Sequence, residues 1–265
     1  MTATIAPSLD SRPADVPDLG TVLGVWAHPD DEAYLSSGLM LHAREAGERV
    51  VVATATDGEL GAPSPTTAAR RRLAARRRRE LAASLGILGV HEHHRLGYPD
   101  GGCSAADRSR AVERLAAIIE EVRPDTVVTF GPDGLTGHDD HRTVGSWTVE
   151  AAAVTGHAGR LWFPTLTPGF HRRWSVLNDE VGLWMDPAVV PTTPEDELSA
   201  TVRLTGEHLA LKVAALRAQE SQTSALLDRV SEETFAAWWA TEWFRAPGPT
   251  ERARLLPGGG RRVDR

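Results

Sequence analysis

The sequence predicts an α/β protein built on a mostly parallel sheet. Short apolar segments at 22–27, 49–55 and 125–130 alternate with longer segments of helical periodicity. Polar turns follow these apolar segments, as they do where a buried strand passes into a helix. The chain has 265 residues, of which 41% are hydrophobic, and is long enough to bury one large α/β core.

The first strand–helix–strand unit is the most clearly patterned part of the chain. Strand 22–27 precedes a helix over 32–46, whose apolar stripe ends at Gly47, and strand 49–55 follows. Consecutive strands joined through a helix predict a right-handed, parallel connection.

The same alternation continues through the rest of the chain. Helices are predicted at 68–88, 105–121, 142–154, 207–219 and from 223 onwards, and strands at 89–96, 125–130, 161–163, 182–185, 198–204 and 242–245. The proline-containing segments 1–19 and 246–265 are expected to be loose tails.

Composition excludes several classes of protein. The net charge of −7 argues against a general nucleic-acid binder, and no apolar run approaches the roughly 20 residues of a membrane span. The N-terminus lacks the basic start and apolar core of a secretory signal, and the single cysteine, Cys103, cannot form an intrachain disulfide. We therefore expect a cytoplasmic protein, and we leave open whether it forms a homo-oligomer.

Two stretches of basic residues have simpler explanations than a binding site. The arginines at 70–79 point around a whole helix, so most of them form a solvated face, although one or two at its pocket end could bind an anionic substrate. The histidines at 91–94 lack a suitably spaced carboxylate or cysteine, which argues against a second metal site there.

Two dense clusters of histidine and aspartate each follow a predicted strand. The first is His-Pro-Asp-Asp-Glu at 28–32, and the second is His-Asp-Asp-His at 138–141. The carboxyl ends of strands in an open α/β sheet form its ligand crevice, so we expect the two clusters to meet there. Neighbouring carboxylates repel one another, and a bound cation is the simplest remedy.

We interpret the clusters as a hydrolytic metal site. His28, Asp31 and His141 offer two imidazoles and one carboxylate with an open position, which is the pattern of catalytic zinc, although iron(II) accepts a similar set. Asp30 is the adjacent candidate for a base that takes a proton from a metal-bound water. Spacing alone does not distinguish the roles of Asp30 and Asp31.

His138 and Asp140 complete the expected chemistry. A protonated His138 could stabilise an oxyanion, and Asp140 could hold that imidazole and raise its pKa. Together these groups suit the hydrolysis of an amide or an ester.

The two clusters resemble the LmbE-like, or PIG-L, family of zinc-dependent N-acetylglucosamine deacetylases. The similarity is carried by Ala-His-Pro-Asp-Asp-Glu at 27–32 and His-x-Asp-His at 138–141. Further segments that are similar to the family lie at 56–59, 77–80, 88–90, 96–101, 124–125, 129–134, 212–216 and 221–222.

The resemblance implies a fold, a metal and a set of roles. It implies a Rossmann-like three-layer fold in one domain over 20–245, with a core at 20–165 and a smaller C-terminal portion at 166–245. It implies one zinc ion on His28, Asp31 and His141, with Asp30 as general base and His138 as the charge-stabilising acid. It also places Arg77 and Asp100 near the loops that bind the sugar.

The function implied is removal of the N-acetyl group from an N-acetylglucosamine-type conjugate. Some family members cleave amides of thiol conjugates, so an amidase on the same zinc site is an alternative, and a metal phosphoesterase is a more distant one. A non-enzymatic nucleotide-binding module is a further alternative. It would carry a glycine-rich turn after the first strand, whereas this chain has His-Pro-Asp-Asp-Glu there, at 28–32.

The chain departs from the family pattern at two positions. Asp139 stands where the family often has proline, which adds a charge but leaves the ligand positions intact. Gln219 stands where the family commonly has histidine, which puts the choice of substrate in doubt.

Overall fold

The computed structural model describes residues 16–185, 190–248 and 251, and the expected tails lie largely outside them. The seven strands are β1 (Val22–Trp26), β2 (Val50–Thr56), β3 (Glu92–Tyr98), β4 (Thr126–Val128), β5 (Arg160–Thr165), β6 (Ala200–Arg203) and β7 (Thr241–Arg245). The α-helices are α1 (Asp31–Glu45), α2 (Thr67–Ile87), α3 (Arg108–Val122), α4 (Asp139–Val154), α5 (Pro168–Val181), α6 (Gly206–Ala218), α7 (Glu220–Leu227) and α8 (Glu232–Trp238).

One sheet contains all seven strands, in the order β3–β2–β1–β4–β5–β7–β6. Strands β1 to β5 pair in parallel, while β7 pairs antiparallel with both β5 and β6. The predicted α/β class with a mostly parallel sheet is confirmed. Every residue of β1, β2 and β4 is buried, which explains why these strands are continuous apolar runs in the sequence.

The second half of the chain differs from the prediction in three places. The helix α5 occupies a stretch to which the sequence assigned no element, and 182–185 is not a strand. Gly182 ends α5 in the left-handed conformation (φ 67°), and the backbone N–H of Leu183 then bonds back to Asn178. The helix predicted from 223 is two helices, α7 and α8.

The core begins before the first strand. Leu19, in the expected N-terminal tail, is fully buried, and its carbonyl accepts a hydrogen bond from Thr126 Oγ1 at 2.7 Å. The described part of the tail is therefore fixed against β4.

A buried ion pair joins the C-terminal portion to α1. Lys212 Nζ, on α6, lies 2.7 Å from Glu242 Oε1, on β7, and also donates to the carbonyl of Tyr34. The backbone N–H groups of Gly38 and Leu39 donate to the same Glu242 carboxylate. Burial lowers the pKa of Lys212, and the charge of Glu242 opposes that effect. The pair thus ties three elements together without contact with solvent.

We expect Lys212→Met to lower the free energy of unfolding by about 3 kcal/mol, because it leaves the Glu242 carboxylate buried without its counter-charge. The ion pair of Arg217 and Glu232, whose side chains are 48% and 66% exposed, provides a control, because Arg217 lies on the same helix as Lys212. Arg217→Met should change the free energy of unfolding by less than about 1 kcal/mol. Urea denaturation followed by circular dichroism measures both, and equal losses would contradict the role given to the buried pair.

Candidate metal centre

The first cluster lies in a strained turn between β1 and α1. Asp30 has a φ of 119°, an unusual value for a residue with a side chain, and α1 begins immediately after it. Its backbone N–H donates to Glu32 Oε2 at 3.0 Å, and its carboxylate accepts a hydrogen bond from Arg77 Nη2 at 3.1 Å. Arg77 also donates to the carbonyls of Pro29 and Gly58. The strain is therefore held in place by buried polar contacts on both sides of the turn.

Three potential metal ligands converge beside this turn. His28 Nδ1 lies 3.2 Å from His141 Nε2 and 3.7 Å from Asp31 Oδ2, and His141 Nε2 lies 3.4 Å from Asp31 Oδ1. A tetrahedral ion with bonds of about 2.0–2.2 Å separates its ligand atoms by about 3.3–3.6 Å. The two nitrogens lie close to that separation, and each faces a different oxygen of the Asp31 carboxylate, so a small rotation of this carboxylate would bring one oxygen to an ion held between the rings.

Hydrogen bonds orient these side chains for binding. The ring of His141 is placed by the carbonyl of Gly134, 3.0 Å from its Nδ1. A proton on Nδ1 leaves the lone pair of Nε2 directed at the other two ligands. The Asp31 carboxylate is held by the backbone N–H of His28 at 2.8 Å. The sequence thus supplies both the ligands and the groups that aim them.

The other ring nitrogen of His28 faces two further carboxylates. Its Nε2 lies 3.2 Å from Asp100 Oδ1 and 3.4 Å from Asp140 Oδ2, buried and without hydrogen-bonding geometry to either. Burial lowers the pKa of His28, but Asp100 and Asp140 outweigh burial and raise it to about 10. A metal-ligating histidine ordinarily presents its second ring N–H to a carboxylate in this way.

Two alternative ligand groups share His28, namely His28 with Asp100 and Asp140, and His28 with His138 and His141. The first is less suitable, because the Asp140 carboxylate already accepts from the backbone N–H groups of Gly101 and Cys103. Asp31 and His141, in contrast, lie in the wall of a cavity, where a catalytic metal keeps its open position. The Nδ1 side of His28 therefore fits a catalytic ion best.

His138 caps the helix that carries His141. Its Nδ1 accepts a hydrogen bond from the backbone N–H of Asp140 at 3.1 Å, which is why α4 begins at Asp139 rather than at the predicted 142. An Nδ1 that accepts must be unprotonated, so the proton of a neutral His138 is on Nε2. This tautomer makes the side chain a hydrogen-bond donor rather than a third nitrogen ligand.

The structure corrects the relation expected between His138 and Asp140. The Asp140 carboxylate contacts His28 and the 101–103 loop, whereas only its backbone contacts the His138 ring. Burial lowers the pKa of His138 and the adjacent His28 lowers it further, while Asp140 opposes the shift without reversing it. A raised pKa for His138 was therefore the wrong expectation for the protein without a cation.

Arg77 and Asp100 both lie close to the centre. Arg77 is only 4% exposed, and its guanidinium is occupied by the turn that carries Asp30. Asp100 accepts from the backbone N–H of Leu60 at 2.8 Å and faces His28. Both side chains therefore contact groups of the centre, and their expected position near the sugar-binding loops stays a prediction.

Burial changes the acidity of the carboxylates in the turn. It raises the pKa of Asp30 to about 7, against the opposing charge of Arg77. It also raises the pKa of Glu32, with Asp30 adding to the effect, to about 8. Glu32 accepts a hydrogen bond from the Asp30 backbone N–H and so supports the turn. The sequence alone assigned it no role, although its place inside the first cluster, at 28–32, could have indicated one.

Gln219 also supports the turn that carries Asp30, and it is not among the residues that line the cavity. Its Nε2 donates to Glu32 Oε1 at 2.9 Å, and Glu32 in turn holds the backbone of Asp30. The departure from the family pattern at this position therefore lies behind the catalytic turn.

Comparison with known proteins settles the family. A family model described as PIG-L, GlcNAc-PI de-N-acetylase, matches residues 23–152. A 1D-myo-inositol 2-acetamido-2-deoxy-α-D-glucopyranoside deacetylase from Kineococcus radiotolerans is 30% identical in an alignment that covers 84% of this chain and 76% of the relative. This chain belongs to the PIG-L family. The resemblance predicted from the two clusters is confirmed.

Solved structures share the fold of this PIG-L family member. The N,N'-diacetylchitobiose deacetylase of Pyrococcus horikoshii superimposes with a TM-score of 0.60 at 23% identity, covering 86% of this chain and 84% of that one. A 4-carboxy-2-hydroxymuconate hydratase from Pseudomonas putida gives 0.54 at 18% identity, with 87% and 97% covered. Because a hydratase has the same fold, the fold by itself does not decide the reaction.

A membrane-spanning helix was not expected from the sequence. Within the described ranges, each helix is too short or too polar to cross a bilayer.

We expect one equivalent of metal per chain in the wild-type protein and a loss of at least about tenfold in metal affinity in His141→Ala, because two ligands cannot hold the ion as three do. The control is His91→Ala, which removes an exposed histidine from 91–94. Elemental analysis after dialysis against zinc measures both variants. Two equivalents of zinc, or equal loss from His91→Ala, would contradict the assignment of one centre at His141.

Proposed function

We propose that this chain is a metal-dependent deacetylase that removes the N-acetyl group from a conjugate of N-acetylglucosamine. The observation that carries the proposal is that the side chains of His28, Asp31 and His141 approach one another to within 3.2–3.7 Å, with Asp31 and His141 in the wall of a cavity. The named activity of the Kineococcus relative supports the choice of an N-acetylated sugar as substrate.

We propose zinc as the metal. Two imidazoles and one carboxylate make a borderline ligand set, which suits zinc and also accepts iron(II). An ion held there would polarise the amide carbonyl and lower the pKa of a bound water to about 7. Asp31 and His141 lie in the wall of the cavity, so an ion held by them would be accessible to a substrate there.

Asp30 is proposed as the general base. Its carboxylate lies next to the ligand Asp31 in sequence and is held by Arg77 at 3.1 Å, so it cannot turn away from the centre without losing that contact. In the forward reaction it takes a proton from the attacking water. It then returns that proton to the amine as the carbon–nitrogen bond breaks, which leaves acetate and a free amino sugar.

His138 is proposed to stabilise the oxyanion. Its ring lies against both ligand imidazoles, with centroids 4.7 Å from His28 and 5.0 Å from His141. The hydrogen bond at Nδ1 leaves Nε2–H available as a donor to the carbonyl oxygen when negative charge develops there. Asp140 acts one step further away, by placing His28 and the 101–103 loop.

The two rival functions differ in whether they would use the residues of the metal centre. An amidase of a thiol conjugate would use the same groups, and only its substrate would differ. A nucleotide-binding module is disfavoured because the first turn carries Asp30, Asp31 and Glu32 in place of a glycine-rich segment, and their carboxylates would repel a pyrophosphate. The cytoplasmic location and the state of association stay predictions.

We expect the zinc-loaded protein to release acetate from N-acetylglucosamine conjugates, to lose this activity with a chelator and to regain it when zinc is restored. The measurement is a coupled acetate assay over a panel of glycosides and thiol-conjugate amides. Acetate release from none of the panel by a fully metal-loaded sample would contradict the proposal.

We expect Asp30→Asn to retain zinc and to lose turnover by about 100-fold or more, because an amide cannot take the proton. Asp139→Asn is the matched control, since the Asp139 side chain is 82% exposed at the start of α4, and its turnover should stay within about twofold of wild type. Zinc analysis and kcat on the same samples separate the two effects. Loss of zinc from Asp30→Asn, or equal turnover of both variants, would overturn the role of Asp30.

A further inference from the structure

A cavity of about 410 Å³ opens directly from the candidate metal centre. Asp31 and His141 form part of its wall, so a substrate whose amide reaches the metal must extend into this space. A volume of this size is typical of pockets that enclose a small organic ligand and is far larger than an acetyl group needs. The cavity therefore receives another part of the substrate.

The wall beyond the metal ligands is mostly apolar. It is formed where the loop before α4, the start of α5 and the helices α7 and α8 meet, through Leu135, Leu166, Phe170, Trp184, Leu226 and Trp238. Most of these side chains belong to one hydrophobic cluster with Trp239 and Trp243. The apolar surface is thus continuous from the metal centre into the C-terminal portion of the chain.

The aromatic residues of the wall offer few polar atoms to a ligand. Trp238 Nε1 is already bonded to Asn178 Oδ1 at 3.0 Å. The indole nitrogens of Trp184 and Trp239 have no hydrogen-bond partner among the described residues, but both are buried from solvent, so neither is exposed as a donor to the open cavity. Apart from Asp31 and His141, the polar side chains among the described lining residues are those of Tyr34, Thr136, Gln222 and Arg229.

This wall is poorly suited to a polyhydroxylated group. Each hydroxyl of a sugar or an inositol that enters such a cavity loses its hydrogen bonds to water and finds few replacements. An alkyl or aryl group, in contrast, gains from leaving water in proportion to the apolar area that it buries. The chemistry of the cavity favours the second kind of group.

We propose that the cavity binds an apolar aglycone, an alkyl or aryl group carried by the N-acetylated sugar, and that it selects the substrate by this group. The inference rests on the proposed function. The acyl group removed in that reaction is only an acetyl group, so the apolar group belongs to the aglycone side. The preferred substrate of this chain would therefore differ from the inositol conjugate named for the Kineococcus relative.

The test compares kcat/KM of the zinc-loaded enzyme on α-glycosides of N-acetylglucosamine with methyl, inositol, octyl and phenyl aglycones. We expect octyl or phenyl to exceed both methyl and inositol by about tenfold or more. A methyl glycoside that carries an N-octanoyl group in place of N-acetyl is the final arm. Equal values for all aglycones, or a preference for the N-octanoyl arm, would overturn the proposal.

A pair of variants locates the effect in the cavity. Leu226→Gln keeps the length of the side chain but adds an amide to the wall, and it should lower kcat/KM for the preferred apolar glycoside by about tenfold more than it lowers kcat/KM for the methyl glycoside. Leu226→Met should retain the preference. Val176→Gln, at a position 70% exposed, is the surface control and should change neither substrate. Equal effects of Leu226→Gln on both substrates would count against the proposal.

Binding of the amine products distinguishes failure of this inference from failure of the proposed function. The octyl and methyl glucosaminides have no acetyl group to lose, so calorimetry measures their affinity without turnover. Tighter binding of the octyl compound by about tenfold or more supports the apolar site even if no acetate is released from any glycoside. Equal binding overturns the inference even if every glycoside is deacetylated.

Discussion

The division of the His28 imidazole between two faces is the constraint on which the rest of the centre depends. Its Nδ1 lies within 3.7 Å of Asp31 and His141, and its Nε2 meets the carboxylates of Asp100 and Asp140. A ring with a carboxylate on one side and a metal on the other is held in one tautomer and one orientation. The loop at 100–103 therefore contributes to the metal site, because it supplies Asp100 and holds the Asp140 carboxylate through the backbone N–H groups of Gly101 and Cys103.

The turn that follows His28 is strained, and the molecule stabilises it from several directions. Arg77 on α2 holds the side chain of Asp30, and Glu32 accepts a hydrogen bond from the Asp30 backbone N–H. Gln219 in turn donates to the Glu32 carboxylate. The buried pair of Lys212 and Glu242 ties the same C-terminal portion to α1, the helix that starts at this turn. The C-terminal portion thus stabilises the turn through α1, and it also supplies the apolar wall of the cavity next to the metal centre.

The sequence predicts the parallel core and the location of the centre because both depend on local patterns. Buried strands are continuous apolar runs, and the two clusters follow strands at one edge of the sheet, so their meeting is a consequence of topology. The helix α5 was not predicted, although the sequence carries its boundary signals: Thr167 caps its N-terminus, Pro168 begins it and Gly182 follows it. The partners of Asp140 and Arg77 were also beyond prediction, because they depend on which loops pack behind the centre and not on spacing along the chain.

The position of the metal on the Nδ1 side of His28 is the central claim, and crystallography of the zinc-loaded protein with anomalous scattering tests it most directly. We expect one anomalous peak bonded to His28 Nδ1, Asp31 and His141 Nε2, with Asp140 near His28 Nε2 and not bonded to the metal. A peak on the other face of the ring, bonded to His28 Nε2, Asp100 and Asp140, would contradict it.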